Sequence, residues 1–109
     1  MPVPSVPVVI STTVERRTDA EKISRILLEK RLIACAQIQG PISSSYWWQG
    51  AIVTAQEFLL TIKSVERLAP QIEDLILSIH PYSTPEIIMI PISRISDDYR
   101  QWLEKELVI

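Results

Sequence analysis

Cys35 and His80 are the side chains best suited to transition metals: the thiolate favours Cu(I) and the imidazole accepts Cu(II). His80 stands beside Pro81 at an expected helix-to-loop boundary, where a ring reaches the surface and loops commonly carry binding groups. Cys35 lies in an apolar strand, the usual setting of an inert packed thiol. Cu(II) binding is therefore expected to depend on His80 more than on Cys35, an order that Cu(I) would reverse. One Cys and one His leave no Cys/His zinc site within a single chain. Glu57, Asp97 and Asp98 add carboxylates at no diagnostic spacing.

The remaining chemistry is thin. A Ser-His-Asp arrangement would have to use His80, and the nearby Ser78 and Ser83 lie on no recognisable nucleophile turn. Gly40 and Gly50 are the only glycines, so neither GxxxxGK[ST] nor GxGxxG is present to cradle a nucleotide. Neither an enzyme nor an organic cofactor is expected. Tyr46, Trp47 and Trp48 are consecutive in a strand and so point to both of its faces. Both faces should then be covered, and packing between subunits is the first expectation, aromatic residues being enriched at interfaces, with a ligand platform and packing within the chain as the alternatives.

Around these residues the chain lays out its elements. Residues 1–7 carry Pro2, Pro4 and Pro7 and read as a short extended tail, with 8–109 as one domain. A strand begins at Val8 and gives way to a polar turn from Ser11 to Arg17. Thr18 caps a helix with Glu21 in capping-box position, and Ala20, Ile23, Ile26, Leu27 and the stem of Lys30 form its inner stripe. Leu32 to Ile38 is the next strand, Gly40-Pro41 turns the chain, and Ile42 to Trp48 and Ile52 to Lys63 form a hairpin closed at Gln49-Gly50. Ser64 caps a second helix whose stripe is Leu68, Ile72, Leu75, Ile76 and Ile79. Glu86 to Ile92 is an edge strand containing Pro91. Ser96 caps a last helix, with Asp97 and Asp98 in its first turn and Tyr99, Trp102 and Leu103 as its packing face.

That order is β-α-β-β-α-β plus a C-terminal helix, an α+β domain of ferredoxin-like arrangement with an extended middle hairpin. The first and third strands occupy the centre of its sheet. The hairpin is too long for a minimal version of the fold, and self-association would cover its apolar surface. RNA-binding modules of the same order stack bases on aromatics of the central strands, where this chain has only Phe58.

Composition narrows the partners further. The 109 residues carry 11 Lys plus Arg against 13 Asp plus Glu, a formal charge of −2 that supplies no broad cationic field for nucleic acid or anionic membranes. A single cysteine fits a reducing compartment, and no apolar run approaches the ~20 residues of a membrane helix. A cytoplasmic location is expected.

Leu32-Ile33-Ala34-Cys35-Ala36-Gln37-Ile38, Tyr46-Trp47-Trp48-Gln49-Gly50, Lys63-Ser64, His80-Pro81-Tyr82 and Pro85-Glu86-Ile87-Ile88 together resemble the CutA family of divalent cation tolerance proteins. The likeness runs from about Val8 through Leu103. It implies a homotrimer in which the long hairpin reaches across to neighbouring subunits, with weak binding of copper or another divalent cation and no enzymatic reaction. Cys35 matches the family's strand cysteine, His80 and Tyr82 its His-Pro-Tyr segment, and Trp48 and Gly50 its aromatic-x-Gly hairpin. Gln37 stands where relatives commonly carry asparagine, and Ala51 where a lysine follows the hairpin glycine. The competing reading is a trimeric signalling or scaffold protein that holds a small molecule or partner protein in its intersubunit clefts.

Overall fold

The computed structural model describes residues 5–108. Four strands, β1 (Pro7–Val14), β2 (Cys35–Trp48), β3 (Ala51–Val65) and β4 (Ile88–Pro91), form one antiparallel sheet in the order β2-β3-β1-β4, so the first and third strands are central, as expected. Residues 1–4 of the expected tail lie outside the described residues, and Pro7 is already the first residue of β1 (Pro7–Val14). The expected turn from Ser11 is absent, because Thr12, Thr13 and Val14 continue the strand opposite Leu60, Leu59 and Phe58 of β3. Thr12 is fully buried, and the β-branched run suits a central strand despite its hydroxyls.

Helix α1 (Arg17–Glu29) begins one residue before Thr18. Its N-cap is Arg16, which makes no side-chain capping bond, so the capping box is not formed. Ala20, Ile23 and Leu27 are buried as expected, but Ser24 joins them by turning its hydroxyl to the Ala20 carbonyl at 2.7 Å, while Lys30 is exposed. At the helix end Arg31 takes φ +55°, with Arg31 N–H bonded to the Leu28 carbonyl and Leu32 N–H to the Leu27 carbonyl. This is a Schellman cap, and it delivers the chain to the sheet.

The second and third strands depart most from expectation. Gly40-Pro41 does not turn the chain: β2 runs unbroken from Cys35 to Trp48, with a bulge between Gln39 and Ile42 and a cis Gly40–Pro41 peptide. An edge strand can hold a proline at a bulge, since the missing N–H then breaks no ladder bond. Its partner β3 (Ala51–Val65) pairs with it back to the Gln49–Gly50 turn, where both residues have positive φ (49° and 79°) and Trp48 faces Ala51. These are the signs of a type I′ hairpin.

Ser64 does not cap a helix. It is buried in β3 and donates to the Leu32 carbonyl at 2.6 Å. A 3-10 turn (Glu66–Leu68) leads instead into α2 (Ala69–Ile79), which accepts Pro70 because its first turn needs no proline N–H. Ile72 and Ile76 are fully buried against Val8, Ile10, Leu60, Ile62 and Ile23, and Leu75 and Ile79 flank them. Each such side chain contributes about 1.5–3 kcal/mol by leaving water. Strand β4 (Ile88–Pro91) is shorter than expected and pairs only with β1, leaving Pro91 at the edge. Helix α3 (Asp97–Glu106) buries Leu103, while Trp102 stays substantially exposed. Its end is tied down by Arg31, which bonds the Glu106 carbonyl and carboxylate, and by Arg67, which bonds the Val108 carbonyl.

Glycine is required at the bulge on steric grounds. A Cβ on Gly40 would stand 2.8 Å from Phe58 Cδ1 and 3.0 Å from the Glu57 carbonyl oxygen, whereas one on Gly50 meets nothing within 4 Å. Gly40→Ala should therefore cost about 1–3 kcal/mol through overpacking. Gly50→Asn should be nearly neutral, because Asn tolerates the left-handed conformation. Urea unfolding of both variants at one protein concentration checks this, and equal midpoints would defeat the steric argument.

Candidate functional site

His80 caps the C-terminus of α2 with extended backbone, its N–H bonding the Ile76 carbonyl at 2.8 Å. The ring was expected at the surface, but it turns inward and the residue is only 9% exposed. The cause is hydrogen bonding to β1. Nε2 lies 2.9 Å from the Thr13 carbonyl oxygen and 3.1 Å from Thr12 Oγ1, while Nδ1 accepts the Tyr82 N–H at 3.0 Å. A carbonyl only accepts and an amide only donates, so Nε2 carries the proton and Nδ1 the lone pair. The ring is neutral, with both nitrogens engaged.

Tyr82 extends this arrangement toward the hairpin. Its ring meets His80 edge-on with centroids 4.9 Å apart, and its hydroxyl donates to Glu57 Oε2 at 2.7 Å. Glu57 is only 7% exposed, an unusual position for a carboxylate and one that requires such a donor. Burial first, and then the bond to Glu57, push the Tyr82 phenol above its usual range. In the sequence Glu57 is only a carboxylate at no diagnostic spacing. Its partner is 25 residues away, and no local pattern joins the two.

Cys35 opens β2 opposite Lys63 and is a partly buried free thiol. Lys63 donates to Gln37 Oε1 at 2.9 Å and lies 5.9 Å from the centre of the Tyr99 ring. Lys63 also faces Val9, whereas the partners of His80 on β1 are Thr12 and Thr13. Cys35 and His80 are thus associated with stretches of sheet about 10 Å apart along the strand. Among the described residues, no group of three or more His, Cys, Asp or Glu side chains is placed to hold a metal ion.

Tyr46, Trp47, Trp48 and Gly50 lie at the far end of the hairpin. Beyond the pair Val14–Phe58, β3 has no neighbour except β2, and Ile42–Trp48 pair with Ala51–Glu57 as a two-stranded arm. Trp47 is 73% exposed, and Tyr46, Trp48 and Ile52 are also exposed. Within one chain neither face of the arm tip is covered.

Fold and site define a class: a ferredoxin-like domain that keeps its polar cluster beside an apolar projecting arm. The chain belongs to the CutA1 divalent ion tolerance protein family, whose model matches residues 8–106. It is 36% identical over 97 residues to the divalent-cation tolerance protein CutA of Thermus thermophilus, covering 89% of this chain and 94% of that one. It is 35% identical over 99 residues to that of Pyrococcus horikoshii, covering 91% and 96%. The crystal structure of the divalent ion tolerance protein CutA1 from Ehrlichia chaffeensis superimposes with a TM-score of 0.92 at 34% identity, over 98% of this chain and 100% of that one.

The buried ring makes stability depend on pH. Burial lowers the His80 pKa below its ordinary 6.5, outweighing the Thr13 carbonyl bond and the charges of Asp19 and Glu57, which raise it. Below 6.5 the unfolded chain then binds a proton that the folded chain resists, so this contribution to stability is complete above 6.5 and is lost as pH falls through the folded-state pKa. The stability difference between wild type and His80→Gln should shrink from pH 7.5 to pH 5. Parallel melting curves across that range would count against it.

Proposed function

We propose that the protein is a homotrimeric divalent-cation tolerance protein that weakly binds copper or another divalent cation. The observation that carries the assembly is the arm, whose Trp47, Trp48 and Ile52 are exposed where no part of the same chain covers them. The opposite edge of the sheet offers a second apolar surface, since Ile88, Met89 and Ile90 of β4 are exposed as well. Two different apolar surfaces on one chain favour a head-to-tail contact, which closes into a ring such as a trimer. Membership of the divalent ion tolerance family supports the metal part of the reading.

Weak binding follows from the donors. His80 can offer a metal only the Nδ1 lone pair, and that pair already accepts the Tyr82 N–H. Coordination there competes with an existing bond, and ligands from a neighbouring subunit must complete the site. Cys35 is the alternative donor, favoured by Cu(I). A cytoplasmic location belongs to the same proposal, supported by the single unpaired cysteine.

Native mass spectrometry of untagged protein, before and after copper addition, tests both parts. The expected mass is three times 12.4 kDa, unchanged by reductant, with added mass in whole copper increments. Deleting 48–51 should weaken assembly while leaving subunit secondary structure largely intact. A monomer at micromolar concentration would sink the assembly. A retained small molecule with no copper uptake would favour the signalling or scaffold reading. Calorimetric titration of Cu(II) into wild type, His80→Ala and Cys35→Ala then assigns the donor, and unchanged binding in His80→Ala rejects His80.

A further inference from the structure

We propose that the hydrogen-bonded chain from β1 through His80 and Tyr82 to Glu57 is a latch that fixes the direction of the hairpin arm within each subunit. The arm leaves the sheet at Phe58, the last β3 residue with a partner on β1. The next residue along the arm is Glu57, which begins the two-stranded region opposite Ile42. Its buried carboxylate accepts the Tyr82 hydroxyl at 2.7 Å. Tyr82 is held in turn by its N–H bond to His80 Nδ1 at 3.0 Å, and His80 by its Nε2–H bond to the Thr13 carbonyl at 2.9 Å. Thr13 pairs with Leu59, two residues from Glu57, so the chain closes a loop around the point where β1 stops supporting β3.

The other strand of the arm is positioned at the same level. The bulge at Gly40–Pro41 sets Gly40 against Phe58 too closely for any side chain. Among the described residues, the Tyr82–Glu57 bond is the only side-chain hydrogen bond that joins residues 42–57 to the rest of the chain; the Ser45–Thr54 hydroxyl pair lies within the arm itself. A two-stranded ribbon by itself is marginal and twists readily. Holding it at its root is preorganisation, which reduces the ordering cost when the arm meets another subunit. The inference rests on the assembly reading only for why the arm's direction matters. The latch itself belongs to one subunit.

The test measures the arm's direction and the rate of assembly separately. For direction, spin labels go on Gln49→Cys in the turn and Glu73→Cys on α2, with Cys35→Ala removing the native thiol. Trp47→Asp and Ile52→Asp keep the arms of different subunits apart. Tyr82→Phe should broaden the label-to-label distance distribution, whereas Glu57→Gln, whose amide oxygen still accepts the phenol, should keep it narrow. For assembly, the otherwise wild-type chain is refolded and followed by light scattering. Tyr82→Phe should slow association about tenfold while the circular dichroism of subunit folding is unchanged. An unchanged distance width or an unchanged association rate overturns the proposal. A wild-type chain that never associates defeats the assembly reading instead, and the distance comparison still decides the latch.

Discussion

Strand β1 stops at Val14, while its neighbour β3 continues for the seven residues Ala51–Glu57 beyond the Val14–Phe58 pair. Those residues can find ladder partners only on β2, so a stretch of sheet that is three strands wide becomes a two-stranded arm within one residue. The consequences are energetic as well as geometric. A hairpin without a third strand or a packed face is marginal in water, yet this one carries two tryptophans, a tyrosine and an isoleucine on exposed positions. A tryptophan offers about 150–250 Å² for burial, about 4–6 kcal/mol at 25 cal/mol per Å². A covered arm would thus be stabilised well beyond what its own ladder supplies.

Root and tip of the arm are built from opposite chemistry. The tip is apolar and open, while the root is polar and closed around His80, Tyr82 and Glu57. A buried polar group lowers stability unless it is paired, and here every buried side-chain polar atom of the described residues has a partner. The directionality is also fixed. The Thr13 carbonyl can only accept and the Tyr82 amide can only donate, so the imidazole between them has one allowed tautomer. A network with a single consistent assignment of donors and acceptors holds its members in one geometry.

The sequence disclosed what depends on local periodicity. The stripe through Leu68, Ile72 and Ile76, the Gln49–Gly50 turn and the order of elements all follow from neighbours within a few residues, and all are present. Four other places misled because their residue types answer to distant partners. Gly40-Pro41 carries the local signature of a turn, but opposite Phe58 the same residues make a bulge in a continuous strand. Ser64 has the chemistry of a helix cap, but the Leu32 carbonyl takes its hydroxyl across 32 residues. Thr12 and Thr13 look like a polar turn until β3 and the His80 ring claim their hydrogen-bonding groups. His80 was placed at the surface for the same reason: its burial depends on a carbonyl 67 residues earlier.

Donor chemistry and fold geometry meet at a single atom. Copper stands at the top of the divalent affinity order for nitrogen donors, and Nδ1 of His80 is the one imidazole lone pair in the chain. That lone pair can face a cation or the Tyr82 N–H, but not both. Cation binding at Nδ1 therefore has to release the Tyr82 amide, and with it the restraint that holds the phenol against Glu57. A tight site would need enough additional ligands to offset the lost hydrogen bond and the exposed carboxylate. A single chain supplies no such cluster among its described residues. The prior commitment of the histidine to the root of the arm thus works against cation binding at Nδ1 by one chain alone.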